Sequence, residues 1–163
     1  LYTGFAGTAG EAGHMIVQPG GRSFPCGNHG CLEQYISEPA VLSRYQELSG
    51  RTTVSIDDLV WSYNQKEADA LAVVDEFTTY LACGINNLWN LFSPECIILN
   101  SQLTAYLPQL LPEILQKLSA RFRATCQLKL STLQDTGVLL GAARVCISNY
   151  LGIEKLYFSG FQP

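Results

Sequence analysis

Gly10-Glu11-Ala12-Gly13-His14 and, after a short gap, Cys26-Gly27-Asn28-His29-Gly30-Cys31-Leu32-Glu33 are the segments on which the interpretation of this sequence depends. They place carboxylates, imidazoles and thiols among glycines, which permit tight turns. We therefore expect a compact knuckle over residues 24–33. If this knuckle folds onto a short strand predicted at 14–18, the carboxylates of Glu11 and Glu33 meet the imidazole of His14.

Such a cluster suits carbohydrate recognition. A carboxylate accepts hydrogen bonds in pairs, as vicinal sugar hydroxyls require, and a neighbouring imidazole adds a further contact. A simpler interpretation is that Glu33 favours the N-terminal turn of the helix after the knuckle, where the helix dipole stabilises an acid. The spacing of the residues leaves both interpretations open.

The same segments also suggest a metal. His14, Cys26 and Cys31 carry ligand types that suit zinc, and the intervening glycines allow both sulfurs to approach one point. Three ligands do not complete a tetrahedral structural site, so His29 or water would have to supply the fourth. The alternative is a reduced cysteine pair beside an ordinary histidine, because C-x4-C is not a characteristic zinc spacing.

Composition limits the other possibilities. The 163 residues are 47% hydrophobic and 15% charged, with a net charge of −4, which fits one globular domain. No Lys/Arg run forms a nucleic-acid patch, and no stretch reaches the roughly 20 apolar residues that span a bilayer. No secretory leader is evident, so we expect a cytoplasmic protein. Because the first residue is not Met, we also expect a piece of a longer chain.

The order of predicted elements indicates an α/β fold, with helices packed on a sheet. Apolar residues at spacings of three and four predict a long helix over 67–92, and Gly84 within it suggests close packing against a neighbour. Cys83, Cys96, Cys126 and Cys146 lie in apolar runs and are expected in the core. The remaining predictions are helices after Leu32, over 39–50, from Ser55, over 106–122 and over 138–150 following Asp135, and strands at 96–99 and 127–130.

The order Gly-Glu-x-Gly-His, then Cys-Gly-x-x-Gly-Cys-x-Glu, resembles the signature of the ROK family of bacterial sugar kinases, sugar-responsive repressors and uncharacterised open reading frames. Residues 90–94, 96–99 and 135–143 are also similar to that family. The resemblance implies an actin/hexokinase-like, ribonuclease H-like ATPase fold with two α/β lobes. Residues 1–163 would be a single domain, the C-terminal lobe, carrying a zinc-knuckle-like loop at 24–33.

Carried over by position, Glu11, His14 and Glu33 match the family's sugar-hydroxyl ligands. His14, Cys26 and Cys31 match three of its four ligands to a structural zinc ion. The remaining family cysteine usually lies two residues before Cys26, where this chain has Phe24. A phenyl ring cannot bind zinc, so zinc here requires His29 or water in its place.

The resemblance is strongest to the NagC- and Mlc-like transcriptional repressors. It implies a region that senses a hexose or N-acetylhexosamine and dimerises, with the 67–92 helix a candidate contact between copies. A separate N-terminal domain would read DNA, and a phosphotransferase-system protein is a possible partner. The alternative is the C-terminal part of a ROK sugar kinase. Asn100-Ser101 replaces a glycine pair common in those kinases, and their phosphate loop and catalytic Asp lie upstream, so we assign no catalytic residue and expect no phosphorylation by this chain alone.

Overall fold

The computed structural model describes residues 2–133 and 136–152. Within them the helices and strands are α1 (Glu33–Ile36), α2 (Glu38–Ser49), α3 (Ile56–Asn64), α4 (Ala68–Phe92), β1 (Cys96–Leu99), α5 (Gln102–Tyr106), α6 (Leu110–Lys117), α7 (Ala120–Thr125), β2 (Gln127–Leu130) and α8 (Thr136–Leu151). Single turns of 3₁₀ helix at Phe5–Gly7 and Ala12–His14 precede them. The α/β class expected from the sequence is confirmed.

Helix α4 forms the centre of the core. It packs against α1, α2, α3 and α6, and its apolar positions recur at helical spacing, so several of its faces are covered. Gly84 lies where α4 meets the residue before α1: a methyl group there would lie 2.6 Å from Leu32 Cδ2. The predicted close packing at Gly84 is confirmed. The buried residues of α4 are Ala70, Val73, Val74, Phe77, Thr78, Leu81, Ala82, Gly84, Ile85 and Trp89.

Local signals define the ends of the helices as expected. The Ser37 hydroxyl accepts a hydrogen bond from the Ala40 N–H at the start of α2, and α2 ends at Gly50, whose φ of 68° is the left-handed conformation glycine favours. Helix α3 starts with a capping box in which Ser55 and Asp58 satisfy each other's backbone N–H groups. These caps explain why the predicted boundaries of both helices lie close to the observed ones.

The two strands pair in parallel, with Cys96 opposite Gln127 and Leu99 opposite Leu130. Both lie within the bounds expected from sequence. The continuous apolar run Cys96–Leu99 predicts a strand covered on both faces, and this prediction is wrong for the described residues, because Ile98 is 65% exposed. An apolar run shows that a strand is suited to burial, but the elements around it decide whether burial occurs.

The single helix predicted over 106–122 is also wrong, because three short helices, α5, α6 and α7, occupy this region. Pro108 disfavours helical backbone at the preceding residue, and Leu107 accordingly leaves the helix with φ of −121°. Ser119 then starts α7 by accepting a hydrogen bond from the Phe122 N–H. Pro112 is accommodated in the first turn of α6, where no intrahelical N–H bond is lost.

Helix α8 covers the predicted 138–150 helix and extends it at both ends, while Asp135 lies outside the described residues. None of its residues is buried, although many are apolar. Cys146 is therefore exposed, which corrects the expectation that it belongs to the core. Cys126 is buried as expected, and Cys83 and Cys96 are half-buried. None of the helices in the described ranges is both long and apolar enough to cross a membrane.

Candidate functional site

The knuckle folds onto the segment that begins at His14. Ile16 and Cys31 form an antiparallel bridge, as do Ser23 and His29. The Leu32 N–H donates to the Met15 carbonyl at 2.8 Å. The strand predicted over 14–18 is reduced to the bridge at Ile16, because His14 ends a 3₁₀ turn instead. The expected convergence of the two segments is nevertheless present.

Two glycines permit this close approach. Gly30 has φ of 82°, and a Cβ atom there would collide with the Gln18 carbonyl. A Cβ atom on Gly21 would collide with the hydroxyl of Tyr35. That hydroxyl accepts a hydrogen bond from the Arg22 N–H at 3.1 Å, so the segment just before the knuckle packs directly against α1.

Arg22 joins the knuckle to the helices beneath it. Its guanidinium donates to the Gln34 carbonyl at 2.8 Å and to the Glu76 carboxylate, and it lies 4.6 Å from the centre of the Tyr35 ring. Glu76 also accepts from Arg44 Nε at 3.2 Å. Sequence reasoning missed this arrangement, because Arg22 and Glu76 are 54 positions apart and no local signal relates them.

The three predicted sugar ligands lie together around Gly13. His14 Nε2 is 3.3 Å from Glu11 Oε2. A methyl group on Gly13 would lie 2.8 Å from Glu33 Oε2, so the Glu33 carboxylate lies directly against this backbone. Glu33 is also the first residue of α1, as the simpler interpretation expects, and its role as a sugar ligand stays a prediction. The side chains of Glu11 and His14 are 71% and 38% exposed and therefore accessible to a ligand.

The electrostatic environment favours a charged imidazole. A hydrogen bond with the Cys26 side chain raises the pKa of His14, and the negative charges of Cys26, Glu11 and Glu33 raise it further against the opposing effect of burial. The hydrogen bond from the Asn28 backbone N–H lowers the pKa of Cys26, with His14 and Cys31 adding to the effect. Burial raises the pKa of the Cys31 thiol. Two adjacent thiols thus differ in exposure and in acidity.

The sulfurs of Cys26 and Cys31 are 3.7 Å apart, close to the ~3.8 Å separation that a tetrahedral zinc ion would impose at normal Zn–S lengths. However, the Phe24 ring lies 5.2 Å from the His14 ring, edge to face. Over residues 2–133 and 136–152, no three His, Cys, Asp or Glu side chains are placed to hold a metal. The residues thus supply two suitably spaced sulfurs but no assembled ligand set, and zinc at His14, Cys26 and Cys31 stays a prediction.

A cleft of about 370 Å³ lies at the carboxyl end of β1. Asn100 and Ser101 line it, together with Ser37 and Glu38 from the junction of α1 and α2. In open α/β sheets, ligands bind outside the carboxyl ends of the strands. The Asn100-Ser101 pair therefore lies where that rule places a ligand.

The sequence matches the ROK family over residues 1–148. The xylose repressor of Bacillus spizizenii is 32% identical over 96% of this chain and 41% of the repressor. The N-acetyl-D-glucosamine kinase of Histophilus somni is 28% identical over 91% of this chain and 52% of the kinase. A crystal structure of a ROK family transcriptional regulator, a homologue of the Escherichia coli MLC protein, is 28% identical with a TM-score of 0.69, over 93% of this chain and 42% of that one.

The chain belongs to the ROK family. It has the actin/hexokinase-like fold of the family's regulators and sugar kinases and corresponds to their C-terminal region. It spans about two fifths to one half of the length of the curated relatives described above.

Proposed function

We propose that this chain is the effector-binding and dimerisation region of a NagC/Mlc-like ROK transcriptional repressor, and that it senses a hexose or N-acetylhexosamine. The observation that carries the proposal is the convergence of Glu11, His14 and Glu33 around Gly13. Two carboxylates and an imidazole within one exposed cluster match the acceptors and donors that a ring of hydroxyls requires.

The roles of these residues follow from their positions. Glu33, held against Gly13 at the start of α1, would accept hydrogen bonds from adjacent hydroxyls with its two oxygens. His14, whose pKa is raised mainly by its hydrogen bond with Cys26, would donate to a sugar oxygen. Glu11 lies 3.3 Å from the imidazole and would orient it while accepting from a further hydroxyl.

The comparisons support a regulator. The identity to the Bacillus spizizenii repressor, 32%, exceeds that to the Histophilus somni kinase, 28%. The name of that repressor adds xylose to the sugars worth testing. The proposal also includes DNA binding through a domain outside this chain, homo-oligomerisation, a cytoplasmic location and a phosphotransferase-system protein as partner, all of which rest on the family resemblance.

A ROK sugar kinase is the second candidate. The kinase relative and the cleft at the carboxyl end of β1 favour it, whereas Asn100-Ser101 in place of the kinases' glycine pair opposes it. There, an upstream base would deprotonate a sugar hydroxyl for attack on ATP, and the residues described here would only orient the sugar. A coupled assay with ATP and the sugar panel separates the two: the repressor proposal expects no turnover, and sustained phosphorylation by the full-length protein would favour the kinase.

The direct test is calorimetric titration of the full-length protein with glucose, N-acetylglucosamine, N-acetylmannosamine and xylose. We expect one of them to bind, and Glu33→Gln to weaken it about tenfold or more, since a hydrogen bond to a charged group is lost. Glu95→Gln is the control, because Glu95 is exposed and precedes β1. Equal affinity in the wild type and Glu33→Gln would refute the assignment of the site.

A further inference from the structure

We propose that Cys26 and Cys31 are a redox-active dithiol that closes to an intramolecular disulfide and thereby weakens sugar binding; the second half of this statement rests on the proposed function. Their sulfurs are 3.7 Å apart, and a disulfide requires about 2.0 Å. The two sulfurs therefore have to move less than 2 Å closer to form the bond.

The two cysteines differ in how far they are held in place. Cys31 is buried, and its bridge to Ile16 fixes it against the segment that follows His14. Cys26 is exposed in the loop of the knuckle. Gly27 follows it with φ of 89° and nothing within 4 Å of the position of a Cβ atom. The loop can therefore shift without steric conflict at that residue, so Cys26 is the sulfur that moves.

The reaction is thiol–disulfide exchange with a low-molecular-weight disulfide as oxidant. The Cys26 thiolate attacks one sulfur of that disulfide, whose S–S bond breaks to release a thiolate that takes up a proton. Cys31 then loses its proton to solvent and attacks the Cys26 sulfur of the mixed disulfide, releasing the second small thiol. In total, two protein thiols become one disulfide, and one small disulfide becomes two thiols.

The loop that carries Cys26 packs against a proposed sugar ligand. The Phe24 ring, two residues before Cys26, lies 5.2 Å from the His14 ring, and His14 lies 3.3 Å from Glu11. Drawing Cys26 toward Cys31 shifts this loop, so the imidazole loses a contact that holds it in place. We expect sugar affinity to fall about fivefold on oxidation, the effect of one lost hydrogen bond.

A zinc ion would bind the same sulfurs and prevent formation of the disulfide. The Phe24 ring beside His14, at the position of the usual cysteine, and the absence of a three-ligand group over residues 2–133 and 136–152 favour free thiols. Elemental analysis of protein purified without added metal decides this point. Zinc near one equivalent per chain would overturn the proposal. Zinc below about 0.2 equivalents, too little to fill a four-ligand site, supports it.

The main experiment uses Cys146→Ser as the parent protein, because Cys146 is exposed and would otherwise react separately. The parent is incubated with glutathione disulfide, and its free thiols and intact mass are measured. We expect the loss of two thiols with no retained glutathione, reversed by dithiothreitol. Cys31→Ala in the same background should instead retain one glutathione on Cys26, and Cys26→Ser should retain none. A parent that keeps all its thiols, or that accumulates a stable adduct, would overturn the disulfide.

The second measurement compares the sugar affinity of the reduced and oxidised parent. A disulfide that forms without changing affinity would refute the switch while leaving the sugar site intact. If the reduced parent binds no sugar in the panel, the proposed function fails, and the thiol and mass data still decide whether the disulfide forms. The two failures are therefore distinguishable.

Discussion

The carboxylate of Glu33 lies against the backbone of Gly13, where a methyl group would be 2.8 Å from Glu33 Oε2. This contact joins the turn before His14 to the first residue of α1. It places the Glu33 carboxylate near the imidazole of His14. The geometry of the candidate site therefore depends on a position that carries no side chain.

Gly13→Ala should weaken sugar binding. The added methyl group would push the Glu33 carboxylate away from its place, and we expect affinity to fall about tenfold, as for the loss of one hydrogen bond to a charged group. Calorimetric titration measures the effect, with a thermal melt to check folding. Gly141→Ala is the matched control, because nothing lies within 4 Å of its Cβ position. Unchanged affinity in Gly13→Ala would contradict the role of the contact.

Gly84→Ala should destabilise the fold. Its Cβ atom would lie 2.6 Å from Leu32 Cδ2, and Leu32 is buried. Overpacking of this kind costs about 1–3 kcal/mol of the free energy of unfolding, partly offset by the roughly 1 kcal/mol that alanine gains over glycine in a helix. Urea denaturation measures the sum.

The Leu32→Ala background tests the cause of that loss. With the leucine truncated, Gly84→Ala should no longer destabilise the protein and should become neutral or stabilising. An equal loss in both backgrounds would show that Leu32 is not the group that the methyl meets.

Asp58 should make stability depend on pH through the capping box of α3. Hydrogen bonds from the Ser55 hydroxyl and then from its backbone N–H lower the pKa of Asp58 below its ordinary value of 3.8. A carboxyl whose pKa is lower in the folded state stabilises the fold fully above its unfolded pKa, and this stabilisation is lost as pH falls through the folded pKa. The difference in melting temperature between wild type and Asp58→Ala should therefore shrink below about pH 4. A difference that stays constant down to about pH 2 would show that the charge of Asp58 does not contribute.

Phe24→Cys should create a tight zinc site. The phenyl ring lies 5.2 Å from the His14 ring, and a third thiolate there would complete a Cys₃His set with Cys26 and Cys31. We expect close to one equivalent of zinc in this variant. Phe24→Ser, which removes the ring without adding a strong ligand, is the control. Zinc content equal to that of Phe24→Ser would show that residue 24 does not face the metal position.

Much of the fold was predictable because its signals are local. The spacing of apolar residues indicated α4, the Ser55 and Gly50 caps marked ends of α3 and α2, and the short apolar run Cys96–Leu99 marked β1. The prediction over 106–122 failed because periodicity continued through Pro108, whose effect on the residue before it breaks the helix. Burial at Ile98 and Cys146 was also mispredicted, since a residue's hydrophobicity does not reveal which elements cover it.

The sequence by itself determined the family, the α/β class and the identity of the candidate residues, because the spacing of the glycines, acids and cysteines is a property of the chain. Only the tertiary structure decided how these residues are held. The contact of Glu33 with Gly13 and the pairing of Arg22 with Glu76 arise from packing between segments that are separated in the chain. Each depends on the position of a backbone set elsewhere in the chain, and no local pattern encodes it.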